Sequence, residues 1–203
     1  MDAQARLKLN ETLAAMSALA AAQDEAKAFF AAQIPSTSRQ TLDITDSAQI
    51  LSVGQAQIGR LGSEDARRYI ETIGVGPCIA VSVYDPVNKT AALTHLDGLT
   101  DMPSTLTALF HEMGPHCEVR VFGADRSSFE QLRELRVQLA QRGVRPVEWD
   151  VLNSVKSIVL DRDTGQVSNV RPRERSGSLT FAASAMADIF RRSQAKQPAK
   201  WTF

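Results

Sequence analysis

The period of the apolar positions changes near residue 40. Residues 2–32 contain no Gly or Pro and are rich in Ala, Leu, Glu, Gln and Lys, all good helix formers. Leu9, Leu13, Met16 and Ala20 recur at helical spacing along one face. Pro35, within Ile34-Pro35-Ser36-Thr37-Ser38, breaks the segment, so the pattern predicts one long helix ending before it. Leu13 to Ala22, followed by Gln23, also has the look of a secretory apolar region with a small-residue cleavage site. Asp2 and Glu11 offset Arg6 and Lys8 where such a signal carries a positive excess, and this favours a retained helix.

Beyond residue 40 the apolar runs are short and bounded by turn chemistry. Residues 50–53 and 56–58 read as strands around Gly54, and residues 63–66 as a capped helical turn. Residues 72–78 read as a glycine-rich turn feeding a buried strand at 79–84. Asp85-Pro86-Val87-Asn88 is a turn, and residues 91–95 are the returning strand. Helices are predicted over 103–112, over 127–142 with Ser127 or Ser128 as N-cap and Gly143 at the C-terminal end, and over 179–192. Strands are predicted over 117–122 and 147–152, and a hairpin joins 157–161 to 166–170. There is no strict βαβ repeat, so the expected architecture is a layered α+β sandwich. Its expected division is a helical extension at 1–40, a domain at 41–195 and a polar tail at 196–203.

Composition narrows the function classes. The 203 residues are 43% hydrophobic and 23% charged, as in globular chains. Twenty-three Lys and Arg balance 23 Asp and Glu, so no basic excess points to a nucleic-acid partner or a membrane surface. The apolar stretches are too short to span a bilayer. Two cysteines, Cys78 and Cys117, make neither a disulfide framework nor a four-cysteine zinc site. His111, His116 and Cys117 match no established ligand spacing, so no zinc site is expected there. Arg133, Arg136 and Arg142 read as a solvated helix face, Arg171, Arg173 and Arg175 as a basic loop, and Trp149 and Trp201 as packing residues.

Residues 72–101 carry the candidate chemistry. Cys78 follows Gly74-Val75-Gly76-Pro77 at a strand start, where backbone N–H groups favour a thiolate. His95 lies on the predicted paired strand. A turn at 85–89 brings Cys78 and His95 to the same end of the sheet, as an activated nucleophile requires. Thr72 supplies a third polar group. The plain structural alternative is a small buried thiol, a satisfied core imidazole and two turn glycines. Gly74 and Gly76 lack the third glycine of a dinucleotide fingerprint.

Thr72, Gly76-Pro77-Cys78, Tyr84-Asp85-Pro86 and His95 resemble the signature of the chemoreceptor glutamine deamidase family CheD. Thr94-His95-Leu96-Asp97-Gly98, with Leu61-Gly62-Ser63-Glu64-Asp65-Ala66, is similar to eukaryotic protein N-terminal asparagine amidohydrolase, and residues 158–167 are similar to a hairpin in both. The resemblance covers about residues 50–170 and implies a fold related to toxin deamidases. It implies hydrolysis of a protein Asn or Gln side-chain amide without a cofactor or metal. Cys78 would be the nucleophile, His95 the general base and Thr72 the residue that orients the imidazole. Asp97 would steady His95, bind a cationic substrate group or simply form an Asp-Gly turn. Pro77 stands where the CheD family commonly has Ser and has no N–H to donate. The oxyanion donors would then be the Cys78 amide and another group, from Gly76 or a neighbouring loop.

Two substrates follow from the resemblance. An N-terminal Asn requires an acidic group for its α-ammonium, with Glu71, Asp97 and Asp101 available. An internal Gln of a partner or host protein is the other, by deamidation or by amine transfer through the same thioester. A binding module that kept the fold without the chemistry is the rival of a different class. A nucleophilic thiol favours a reducing compartment, hence a cytoplasm, either the producer's own or a host's reached by export.

Overall fold

The computed structural model describes residues 3–31, 38–152, 154–171 and 196–203. The predicted helix at 179–192, Arg173 and Arg175 lie outside them. The chain divides into two compact units, residues 1–34 and 35–203. The first is the helix α1 (Ala3–Ala31), on which Leu9, Leu13 and Met16 are exposed.

The second unit is an α+β sandwich of two mixed sheets. The strands are β1 (Thr41–Leu42), β2 (Ile50–Ser52), β3 (Gln57–Leu61), β4 (Tyr69–Val75), β5 (Ile79–Asp85) and β6 (Thr90–Leu96). They continue with β7 (Glu118–Gly123), β8 (Glu148–Val151), β9 (Lys156–Asp161), β10 (Val167–Val170) and β11 (Lys200–Thr202). One sheet has the order β1-β10-β9-β4-β2, the other β11-β3-β6-β5-β7-β8. The inner faces contribute Leu51, Val53, Ile70 and Ile158 from the first sheet and Ala80, Leu93 and Phe122 from the second. Strand β5 is buried at every position, so its sequence reads as a continuous apolar run rather than an alternation. Helices α2 (Met102–Phe110) and α3 (Phe129–Gln141) accompany the six-stranded sheet. Arg142 is half-buried rather than fully solvated: its guanidinium joins the end of α3 to the Pro103 carbonyl and Thr107 Oγ1 of α2.

Three expectations need correction. Residues 63–66 form a turn, with Arg67 rather than a helix N–H taking the Asp65 carboxylate. The stretch from Thr72 is not a turn but the second half of β4, which pairs with β9 and slips register between Thr72 and Val75. Gly74, at φ +73°, makes that bulge possible. Residues 196–203 are not a tail apart from the domain: Lys200 to Thr202 add a parallel edge strand to β3.

Close approach explains two motifs at once. Tyr84 sits against the turn after β9, its hydroxyl donating to the Asp163 carbonyl at 3.2 Å. Gly165, at φ +71°, lies so close that a Cβ there would stand 2.1 Å from Tyr84 Cδ1. The Tyr84-Asp85-Pro86 and Asp163-Thr164-Gly165 turns are therefore two sides of one contact. Asp85, buried, accepts hydrogen bonds from the backbone of Val87, Asn88 and Gly114 and from the Asn88 amide. Burial works to raise its carboxyl, but these donors prevail and hold it below the usual range. Gly165→Ala should therefore destabilise the second unit by about 2 kcal/mol or more, from backbone strain plus overpacking. A lowered urea midpoint at unchanged slope would check this.

Candidate active site

Cys78, His95 and Thr72 converge on one end of the sandwich. The register pairs Ala80 with His95 across β5 and β6, so both face the inner layer. Cys78 lies two residues before Ala80 and packs in the same inter-sheet cluster, diagonal to His95. Diagonal neighbours have backbones about 7–8 Å apart, and Cys78 Sγ and His95 Nε2 make no hydrogen bond with each other in the resting structure. Thr72 enters from the opposing sheet. Its hydroxyl lies 2.8 Å from His95 Nδ1 and 2.8 Å from the Val53 carbonyl.

Proton counting fixes the histidine tautomer. A carbonyl only accepts, so the single Thr72 hydroxyl hydrogen goes to Val53. The hydroxyl oxygen must then accept from His95, which places the ring hydrogen on Nδ1. Nε2 is left as a bare lone pair. It is buried and has no hydrogen-bond partner. His95 is 1% exposed, and burial pushes its imidazole down to about 4, with Asp97 partly opposing. An unpaired acceptor in such a place is costly, which makes it a candidate functional position.

The backbone on both sides of Cys78 is held by the segment after β7. The Ala124 N–H donates to the Cys78 carbonyl at 2.7 Å, and the Ser128 hydroxyl donates to the Pro77 carbonyl. Gly123 and Ala124 have φ of +87° and +58°, and a Cβ on Gly123 would meet the Cys78 carbonyl at 2.7 Å. Cys78 itself is 5% exposed. Burial pushes its thiol up to about 11; Asp97 adds to this, a hydrogen bond from Gln55 works against it and Asp125 adds further. The resting pair is therefore a protonated thiol and a neutral imidazole.

The remaining sequence candidates separate. Asp97 sits at the rim, where its carboxylate accepts from the Leu99 N–H at 3.0 Å and the Thr100 hydroxyl at 2.8 Å, so it forms the turn and also acts electrostatically on Cys78 and His95. Gly76 is buried in the loop before Cys78. Asp101 occupies the N-cap position of α2 without a side-chain cap bond. Glu71 does not join the cluster. It neighbours Thr72 on β4, so its side chain points to the opposite face, where it accepts from Ser52 Oγ at 2.7 Å. The bulge lies after Glu71 and does not restore it to the inner face. Two residues at the site escaped sequence reasoning. Gln55 Nε2 lies 3.6 Å from Cys78 Sγ, and Asp125 begins the helical turn behind it. The Asp-x-Ser cap at Asp125 was a legible local signal; Gln55 offered none. Among the described residues no group of three His, Cys, Asp or Glu could hold a metal, and no helix is long and apolar enough to cross a membrane.

No protein-family model matches the chain, and no curated protein is significantly similar to it.

Titration of the pair should be visible in stability. Between about pH 6.5 and 4 the unfolded chain takes up a proton at His95 that the folded chain refuses, so stability falls as pH drops through this window. Between about 9 and 11 the unfolded chain loses the Cys78 proton that the folded chain keeps, so stability falls again as pH rises. His95→Gln should flatten the acid limb and Cys78→Ala the alkaline one, read from urea midpoints across pH.

Proposed function

We propose that the protein is a cysteine amidohydrolase acting on a side-chain carboxamide of a protein or peptide, with N-terminal Asn the favoured substrate. The observation that carries this reading is the Thr72–His95 hydrogen bond, which leaves a bare Nε2 on the face that holds Cys78. In the proposed reaction Nε2 takes the Sγ proton as the sulfur attacks the carboxamide carbon. The tetrahedral intermediate collapses, the C–N bond breaks, and the proton on His95 leaves with the nitrogen as ammonia. Water then adds to the thioester with His95 again as base. The C–S bond breaks, and the side chain departs as a carboxylic acid with the thiol restored.

The preference for an N-terminal residue rests on charge. Asp97 and Asp125 both bear on the Cys78 sulfur, so the rim presents negative potential where a substrate α-ammonium would sit. An internal Gln brings no such cation. Glu71, facing away, plays no part in this recognition.

Two measurements test the reading. Cys78→Ala should abolish ammonia release from short Asn-initiated peptides, and acetylation of their amino group should cost most of the turnover. Undiminished release in the variant would end the mechanism, whereas activity confined to an internal Gln of a folded protein would overturn the substrate. Thr72→Val should lower kcat by about 10²-fold or more by releasing the tautomer. It should also cost about 1–3 kcal/mol of stability, because the buried Nδ1 donor loses its partner.

A further inference from the structure

We propose that Gln55 is a third reacting-site side chain, whose Nε2–H stabilises negative charge first on the Cys78 sulfur and then on the carboxamide oxygen of the bound substrate. The inference rests on the amidohydrolase reading and extends it to the oxyanion site.

The argument begins with a missing donor. Pro77, immediately before the nucleophile, has no N–H. The Ala124 N–H is already spent on the Cys78 carbonyl at 2.7 Å. Backbone donors for the oxyanion are then the amides of Cys78 and Gly76, which leaves room for a side-chain donor. Among the described residues, Gln55 is the one side-chain donor that reaches Sγ, at 3.6 Å. In the tetrahedral adduct the oxygen is held close to sulfur, so a donor at hydrogen-bonding distance from that oxygen lies about 3–5 Å from Sγ. Gln55 Nε2 falls within this range before any substrate is present.

The backbone around Gln55 is built to hold it there. It occupies the turn between β2 and β3. The next residue, Ala56, has φ +55°, an unfavourable conformation for a residue with a side chain. That strain is sustained by three hydrogen bonds. The Ala56 N–H donates to the His95 carbonyl at 2.8 Å, the Ala56 carbonyl accepts from the Lys200 N–H at 2.7 Å, and the Gly54 N–H donates to Gln57 Oε1 at 2.7 Å. The backbone carrying Gln55 is thus fixed to the residue that supplies the base. Yet the Gln55 side chain is exposed and has no part in the core. An exposed polar side chain that meets a buried thiol contributes little to folding; a donor waiting for charge explains its position. An amide suits both stages, since it donates to sulfur or oxygen without bringing a charge that would compete for the proton on His95.

The test compares the full-length protein with Gln55→Ala and Gln55→Glu, substitutions at an exposed residue. Ammonia release from an Asn-initiated peptide and the pH dependence of iodoacetamide alkylation at Cys78, followed by mass spectrometry of the Cys78 peptide, are the two readouts. Both variants should lower kcat by about 10²-fold with KM within about threefold, as expected for a lost oxyanion donor. Both should also move the alkylation midpoint upward, by about one pH unit in Gln55→Ala and further in Gln55→Glu. Unchanged kcat with an unshifted midpoint would overturn the inference, and so would a rise in KM alone, which would make Gln55 a binding residue. If the unaltered protein releases no ammonia, the amidohydrolase reading fails, while the alkylation comparison still decides whether Gln55 stabilises the sulfur anion.

Discussion

The hydroxyl of Thr72 is the interaction on which the site depends. It bridges the two sheets, lying between the Val53 carbonyl of one and the imidazole of His95 in the other. Because one hydroxyl has one hydrogen, the carbonyl determines the direction of every bond in the chain. The carbonyl takes the hydrogen, the hydroxyl must accept, and His95 must present a lone pair at Nε2. A serine could make the same bonds; a valine of the same shape would make none and would leave the ring free to adopt either tautomer.

That bridge requires the sheets to approach closely and in one register. Gly59 on β3 shows how closely: a Cβ there would lie 2.7 Å from Val53 Cγ2 and 2.9 Å from Ile70 Cδ1. Val53 is the residue whose carbonyl receives the Thr72 hydrogen, so the absent side chain of Gly59 lets β3 settle against the segment that sets the tautomer. At the other end of the layer Gly165 admits the Tyr84 ring. These glycines act through proximity, and Gly59 does so without a left-handed backbone. Burial of the resulting site then decides the resting state. It discourages charge on both sulfur and imidazole, so the pair waits neutral.

How much of this was legible in the chain depends on parity and on distance. Strands β5 and β6 were legible because residues 79–84 and 91–95 are apolar and flank a turn, and their pairing placed Cys78 and His95 at one end. Strand β4 was obscured because its bulge glycine, Gly74, reads as turn chemistry, although the strand continues through it to Val75. Without β4 as a strand, the alternation that sends Thr72 inward and Glu71 outward could not be applied, which is why Glu71 stood among the acidic candidates. Gln55 was hidden for another reason. The role proposed for it comes from contact across the fold, and nothing at positions 54–57 marks a polar residue as special. The β11 strand was hidden because three residues at an edge carry too little pattern to register.

The electrostatics of the rim join binding to chemistry in the proposed reaction. Asp97 and Asp125 raise the cost of a negative sulfur. A substrate that placed a cation between them and the thiol would cancel that cost at the moment it brought the carboxamide to Sγ. The same ligand would also displace water and so strengthen the remaining donors, Gln55 among them. Thiolate formation is then linked to occupancy, because the resting protein keeps the proton on sulfur and the complex gives it up. A neutral ligand of the same shape would fill the site and leave the carboxylates uncompensated, so it would gain proximity without activation. Discrimination for a cationic substrate would therefore reside in the chemical step as much as in binding, a consequence of placing carboxylates beside a buried thiol rather than beside the base alone.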